Sequence, residues 1–454
     1  MSEHQKFNFN SIEEIREKIK ELKVDISLSK DLSILSTPLV INNKRVENRF
    51  AILPMEGCDS NFDGSPSALV ERRYGRFYLG GAGLVWWEAN SVVEEGRANE
   101  HQMMLSQANK ASFKTLLESL NKEALTENGY KPLAILQLTH SGRYSRPHGH
   151  KPCPIVPQRD PILDKRTGVV SDDQVCNDEY LDSLIDRYKE SAILAKEVGF
   201  DGVDIKACHR YLLSELLASH TRGGKYGGNL ENRLSYFVKI IRAIKAAVGE
   251  DFIIASRFNV FDAHPYPYGF GEDKEEFWKF DPTEPLEYVK TIIKEGVSLL
   301  SNSAGNPYYI YPQVTRPFDL SSMGIPTPKE HPLESIARLF NFTQDIQKVA
   351  GTVPVIGNGY TWLREYLAPI GAANILNKRC SMIGLGREAI AYPDSVEDCL
   401  KNGGMIRNKC CTTCSKCTQI MRDHGMTGCV IRDNKFYAPM YQKYRKEAEE
   451  RENG

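Results

Sequence analysis

The 454-residue chain lacks any apolar run long enough to cross a bilayer, and its first residues, MSEHQKFNFNSIEEIREKIKELK, are polar where a secretory leader would be apolar. A cytoplasmic location is the expectation. Charge of one sign is missing too: 58 Lys and Arg against 59 Asp and Glu leave a net charge of −1, so no overall field draws the protein to nucleic acid or anionic lipid. There is no short internal repeat or low-complexity tract, and no sign of large-scale disorder. With 41% apolar and 26% charged residues, the composition supports a sizeable core. The length suits one large domain with a modest appendage.

Eight β-rich runs alternate with helical ones. They are Arg49 to Pro54, Gly83 to Ala89, Pro132 to Gln137, Gly202 to Lys206, Phe252 to Arg257, Val297 to Ser303, Val353 to Gly357 and Ser381 to Leu385. Several are near-continuous apolar runs, as parallel strands covered on both faces require. Stretches of helical period such as Asp178 to Val198 and Asn232 to Val248 lie between them. Strand then helix, eight times, predicts an α/β fold of the closed (β/α)8 or TIM type, with a doubly wound open sheet as its rival. Leu39 to Asn48 reads as a hairpin turning at Asn42-Asn43, placed to plug the barrel. The expected domains are a helical extension over 1–34, the barrel over 35–402, and a Cys-rich segment with a tail over 403–454.

Long connections at about 143 to 175 and 304 to 332 follow strand C-termini, where barrel active sites lie. Polar residues gather at the same ends: Pro54-Met55-Glu56-Gly57, Gln137 to Arg143, Ser256-Arg257, Gly357-Asn358-Gly359 and Gly384 to Arg387. Glycines after the last two strands fit a phosphate cradle, because backbone N–H groups reach an anion only where no side chain intervenes. Arg387 adds a charge-assisted bond to such a phosphate. A single glycine there serves a βα turn equally well; the pairing at both late strands favours the cradle.

VENRFAILPMEG, GGAGLVWWEAN, LQLTHSGR, GFDGVDIKACHRYLLSELL, KYGGNLENR, ASRF and GLGREAIAYPD occur in this order. In these pieces the chain resembles the old yellow enzyme family of FMN-dependent reductases, over about residues 35 to 400. The resemblance implies FMN contacts from Pro54, Met55, Ala89, Gln137, Arg257, Gly359, Gly386 and Arg387, and their neighbours Glu56 and Asn358 join the expected cofactor set. Gln137 suits the pyrimidine edge of a flavin, and Arg257 suits an anionic reduced ring. Without the family pattern, Arg257 reads equally well as a salt bridge and Gln137 as a satisfied core amide.

In Lys206-Ala-Cys-His209-Arg-Tyr211 the resemblance places substrate-oxygen ligands at Lys206 and His209 and a proton donor at Tyr211. Lys206 departs from the family, where His is usual. Its ammonium favours a carboxylate or developing oxyanion, or else pairs with Glu56 or Glu88. The implied reaction carries hydride from NAD(P)H or another donor through flavin to the β-carbon of an activated alkene, with protonation by Tyr211.

Five of eleven cysteines crowd between Cys410 and Cys429, which favours a metal centre over disulfides. Cys411, Cys414, Cys417 and Cys429 form C-x2-C-x2-C-x11-C, with Cys410 as an alternative first ligand and zinc as the alternative metal. The placement resembles the iron-sulfur subgroup containing 2,4-dienoyl-CoA reductase, 2-enoate reductase and trimethylamine dehydrogenase, implying a 4Fe-4S cluster beside the flavin. Those relatives continue into nucleotide-binding domains, whereas no G-x-G-x-x-G follows a late strand here.

The leading expectation is therefore an ene-reductase for an enoate, enone or steroid-like enone. An amine dehydrogenase or demethylase is the second reading, opposed by the charge of Lys206. A flavin and iron-sulfur electron carrier without a dedicated small substrate is the third. Expected partners are the unsaturated substrate, an electron-donor protein and a second copy of the chain, with neither nucleic acid nor membrane among them.

Overall fold

The computed structural model describes residues 4–306 and 317–453. Ten strands form two sheets. β1 (Leu39–Ile41) and β2 (Lys44–Val46) make an antiparallel hairpin. The other eight are β3 (Phe50–Ile52), β4 (Leu84–Ser91), β5 (Leu133–Thr139), β6 (Gly202–Ile205), β7 (Ile253–Phe261), β8 (Leu299–Ala304), β9 (Val355–Gly357) and β10 (Met382–Leu385). They close into a parallel barrel in the order β3 to β10, with β10 hydrogen-bonded back to β3. The closed barrel is thus the architecture, and the open-sheet rival falls. β7 runs four residues beyond the expected end at Arg257, because β8 stays paired with it through an irregularity between Asn259 and Phe261.

Side chains alternate between two apolar compartments, as the pleat requires. Leu84, Trp86, Ile135, Ile253, Leu299, Ile356 and Met382 fill the barrel interior. Val85, Trp87, Leu136, Val203, Ile254 and Leu300 face the helices. Apolar side chains fill the interior, so ligands are left to the rim.

The hairpin turns where expected, with Asn42 (φ 44°) and Asn43 (φ 65°) both left-handed, the conformation of a two-residue turn that asparagine tolerates. Asn42 Nδ2 donates to the Glu250 carbonyl at 2.6 Å, just before β7, so the hairpin sits at the N-terminal end of the barrel. Ile41 and Val46 join the interior compartment there. The hairpin is the predicted plug.

The N-terminal helix spans Ile12–Leu22, capped by Ser11 and stopped by Lys23 in the left-handed region. Ile15 and Ile19 are buried in the same core as the helices around the barrel. The C-terminal segment is tied to the rim: Asp433 pairs with Arg72 at 2.8 Å and Arg76 at 2.9 Å, and the Thr427 N–H donates to the Gly57 carbonyl at 2.7 Å. No described helix is long and apolar enough to cross a membrane.

Candidate active site

At the C-terminal rim, a cavity of about 190 Å³ is lined by Pro54, Met55, His209, Arg257, Phe318, Asn358, Gly359, Gly386 and Arg387, among others. Seven of these come from the expected cofactor set. Arg257, on β7, reaches across the mouth so that Nη1 donates to the Pro54 carbonyl at 3.2 Å, while its buried Nε has no partner. Arg387 stacks its guanidinium over Phe318 at 4.6 Å and donates to Thr418 Oγ1 at 3.3 Å, and its Nε is also buried without a partner. Two cationic side chains, each with a buried and unmet Nε donor, suit an anionic guest.

The glycines leave room for backbone approach. Gly359 has φ +94°, a conformation that L side chains rarely adopt, and a Cβ on Gly386 would stand 3.3 Å from Met55 Sδ. The residues present therefore fit an anion with a phosphate between the ends of β9 and β10.

Other members of the expected set lie elsewhere. Ala89 is fully buried within β4 and is not on the cavity wall. Gln137 is buried and donates Nε2 to Asp204 Oδ2 at 2.6 Å, the satisfied amide weighed as its alternative. Asp204 is the residue missed from sequence. It accepts from Gln137, from Trp86 Nε1 at 3.0 Å and from the Arg257 N–H at 2.7 Å, and burial pushes its carboxyl up to about 7. An acidic residue inside the apolar run Gly202–Ile205 was the available signal.

The catalytic candidates divide between two cavities. His209, held at φ 65°, lines the first and its Nε2 lies 3.1 Å from Ser303 Oγ. Tyr211 and Glu56 line a second cavity of about 330 Å³, between the rim loops and the C-terminal residues Met421, Arg422 and His424. Lys206 lies buried between them: its Nζ is 3.1 Å from Glu56 Oε1 and 3.8 Å from the centre of the Tyr211 ring. Of the two readings of Lys206, the structure displays the pairing with Glu56. Tyr211 donates to Glu56 Oε1 at 3.1 Å and lies 3.3 Å from Oε2. Tyr308, Tyr309 and Tyr311, expected to shape substrate choice, fall outside the described residues.

The Cys-rich segment packs beside the first cavity. Cys411 is buried, receives the Thr413 N–H on its sulfur at 3.3 Å, and interacts electrostatically with Cys417 and Cys429. Cys429 receives the Arg432 N–H at 3.2 Å and interacts with Cys414 and Cys417. Burial pushes both thiols up. Cys410 instead donates to the Ile406 carbonyl at 3.5 Å. Among the described residues, no three His, Cys, Asp or Glu side chains form a group that could hold a single metal ion.

The short helix Arg387–Ala391 joins the two regions. Arg387 reaches Thr418 of the Cys-rich segment, and the adjacent Glu388 accepts the Cys411 N–H at 3.2 Å. Burial pushes Glu388 up to about 8.

Residues 34–279 match the family described as NADH:flavin oxidoreductase / NADH oxidase. The NADPH dehydrogenase of Bacillus cytotoxicus is 28% identical over 274 residues, 60% of this chain and 71% of that protein. The cinnamate reductase of Clostridium sporogenes is 26% identical over 79% of this chain, which spans only 51% of its length. Among solved structures, a 2-naphthoyl-CoA reductase in complex with 2-naphthoyl-CoA superposes with a TM-score of 0.69 at 19% identity, over 91% of this chain and 58% of that one. That likeness shows the shared fold. With the matched stretch exceeding half of the sequence, the chain belongs to the NADH:flavin oxidoreductase / NADH oxidase family.

Proposed function

We propose that the protein reduces an activated C=C bond, in an enoate, enone or steroid-like enone, using FMN held in the first cavity. The observation that carries this reading is the pair of arginines, Arg257 and Arg387, each with a buried and unmet Nε donor on a glycine-lined wall. Arg387 and the backbone at Gly359 and Gly386 would hold the phosphate, and Arg257 the ring. Bound there, FMN supplies two-electron hydride chemistry at a single ring atom.

His209 orients and polarises the substrate oxygen from the same cavity. Its ring already lies within hydrogen-bond distance of Ser303, which fixes the imidazole. Tyr211 delivers the proton to the α-carbon, and Lys206, 3.8 Å from its ring centre, stabilises the charge that develops on the phenol. NAD(P)H is the proposed donor, with an electron-donor protein as the alternative source.

A 4Fe-4S cluster on Cys411, Cys414, Cys417 and Cys429 belongs to the same proposal. Its support is the mutual proximity of these thiols and the N–H groups aimed at two of them. Cys410, bonded to a carbonyl, is the weaker candidate for first ligand. The proposed divisions remain 1–34, 35–402 and 403–454.

Anaerobic purification with flavin and iron analysis tests the cofactors, and reoxidation of the reduced protein by cinnamate and 2-cyclohexenone tests the reaction. Bound FMN, iron and alkene turnover are the expected results. Purified protein that neither contains nor takes up flavin ends the proposal.

A further inference from the structure

We propose that Glu56 is the group through which Tyr211 exchanges its proton with water, so that Lys206, Glu56 and Tyr211 form one relay. This rests on the reading of the site as one that saturates an activated double bond. Tyr211 is 5% exposed and borders the same cavity as Glu56, so only a small part of its surface meets solvent directly. Its hydroxyl is bonded to Glu56 at 3.1 Å, and the Glu56 side chain, 14% exposed, lines the larger cavity. Lys206 bonds the same carboxylate oxygen at 3.1 Å and does not line that cavity. The carboxylate is thus the polar step between the phenol and water.

The carboxylate is also held in place. The next residue, Gly57, donates its N–H to Glu88 at 2.5 Å, and Glu88 is anchored by Arg73, which binds Asp59 as well. On its other side, the Gly57 carbonyl receives the Thr427 N–H. A strand end pinned from both sides keeps Glu56 facing Tyr211.

The direction of the bond sets the chemistry. At rest the phenolic hydrogen points to the carboxylate. A proton taken up by Glu56 reverses that bond and frees the phenolic hydrogen. Once a hydride has added to the β-carbon, the α-carbon of the enolate forms a C–H bond as the Tyr211 O–H bond breaks. The phenolate oxygen then forms an O–H bond with the proton leaving the Glu56 carboxyl. Glu56 regains a proton from water in the cavity, and the Lys206 ammonium balances the anion throughout. No electrons move in the relay, since both entered with the hydride. In reverse, the same groups carry a proton out.

Three variants of the full-length holoenzyme test this: Glu56→Gln, Glu56→Asp and Tyr211→Phe. Anaerobic stopped-flow separates flavin reduction by NADPH from reoxidation by 2-cyclohexenone or cinnamate, with and without added formate. For Glu56→Gln the expected result is reduction within about twofold of wild type but reoxidation slowed at least ~10-fold, on the scale of general-acid effects. Formate should restore that rate with increasing concentration, since a small acid can stand in for the lost carboxyl. Glu56→Asp should stay near wild type, and Tyr211→Phe should be slow and unresponsive to formate. Reoxidation of Glu56→Gln at the wild-type rate overturns the relay, as does equal slowing of both half-reactions or a lack of formate rescue. Failure of the wild type to pass electrons to any alkene overturns the functional reading as well.

Discussion

Arg387 carries two obligations with one guanidinium, toward the first cavity and toward Thr418. Replacing it with alanine removes a charge-assisted bond worth about 1.5–3 kcal/mol. The expected outcome is FMN affinity lowered roughly 10- to 100-fold, read by flavin fluorescence during titration of the apoprotein. Lys206→Met tests a buried cation. It leaves Glu56 without its ammonium, and because that carboxylate keeps some access to water, the expected cost is about 1–3 kcal/mol, below that of a fully buried pair. Urea unfolding measures it. Asp204 predicts a pH effect. The folded carboxyl holds its proton up to about 7, against an ordinary value of 3.8. In that window the folded state binds more protons than the unfolded chain, so this group's contribution to stability is present at low pH and lost as pH rises towards about 7. Relative to wild type, Asp204→Asn should therefore gain stability as pH is raised from about 4 to about 7. A difference that stays flat with pH would show that Asp204 is ionised throughout.

Among the elements, the β1–β2 hairpin is the clearest test of local geometry. Asn42 combines a left-handed backbone with a bond to Glu250, so Asn42→Ala should cost about 1–3 kcal/mol in thermal or urea unfolding. Eight barrel strands and this hairpin were legible because apolar runs and an Asn-Asn turn are local signals. The positions of Pro54, Gly359 and Arg387 were legible for a related reason: each sits just after a strand, and a barrel brings all such ends to one rim, which Arg257 reaches from within β7. Glu56 was harder to place. Its sequence neighbours link it to the cofactor set, whereas its partners, Lys206 and Tyr211, lie about 150 residues away on a later barrel unit. The role of Gln137 was equally hidden, since its bond to Asp204 depends on the register of β5 against β6. The short helix Arg387–Ala391 showed nothing in sequence of its contact with the Cys-rich loop. That contact carries a prediction for the proposed cluster: removing its iron anaerobically with a chelator should loosen the loop and weaken FMN binding, and Thr418→Val should reproduce part of the loss. Unchanged flavin affinity in both cases would mean that the two regions act independently.

For the molecule as a whole, three histidines in or near the core accept hydrogen bonds and are held neutral by burial. His140 Nδ1 accepts the Gly142 N–H, His331 Nδ1 accepts the Leu333 N–H, and His424 Nε2 accepts from Arg146. Burial pushes them down to about 3, 4 and 4. At pH 5 the unfolded chain binds protons on these rings that the folded one refuses, so their contribution is present above 6.5 and lost as pH falls. Because the hairpin seals the N-terminal end and side chains pack the interior, the barrel is a vessel with one opening. In the proposed reaction, a nicotinamide and an alkene that both need the same flavin face must then take turns, the first departing before the second arrives. Double-reciprocal plots at several fixed donor concentrations should run parallel, and lines that converge would mean that both guests fit at once.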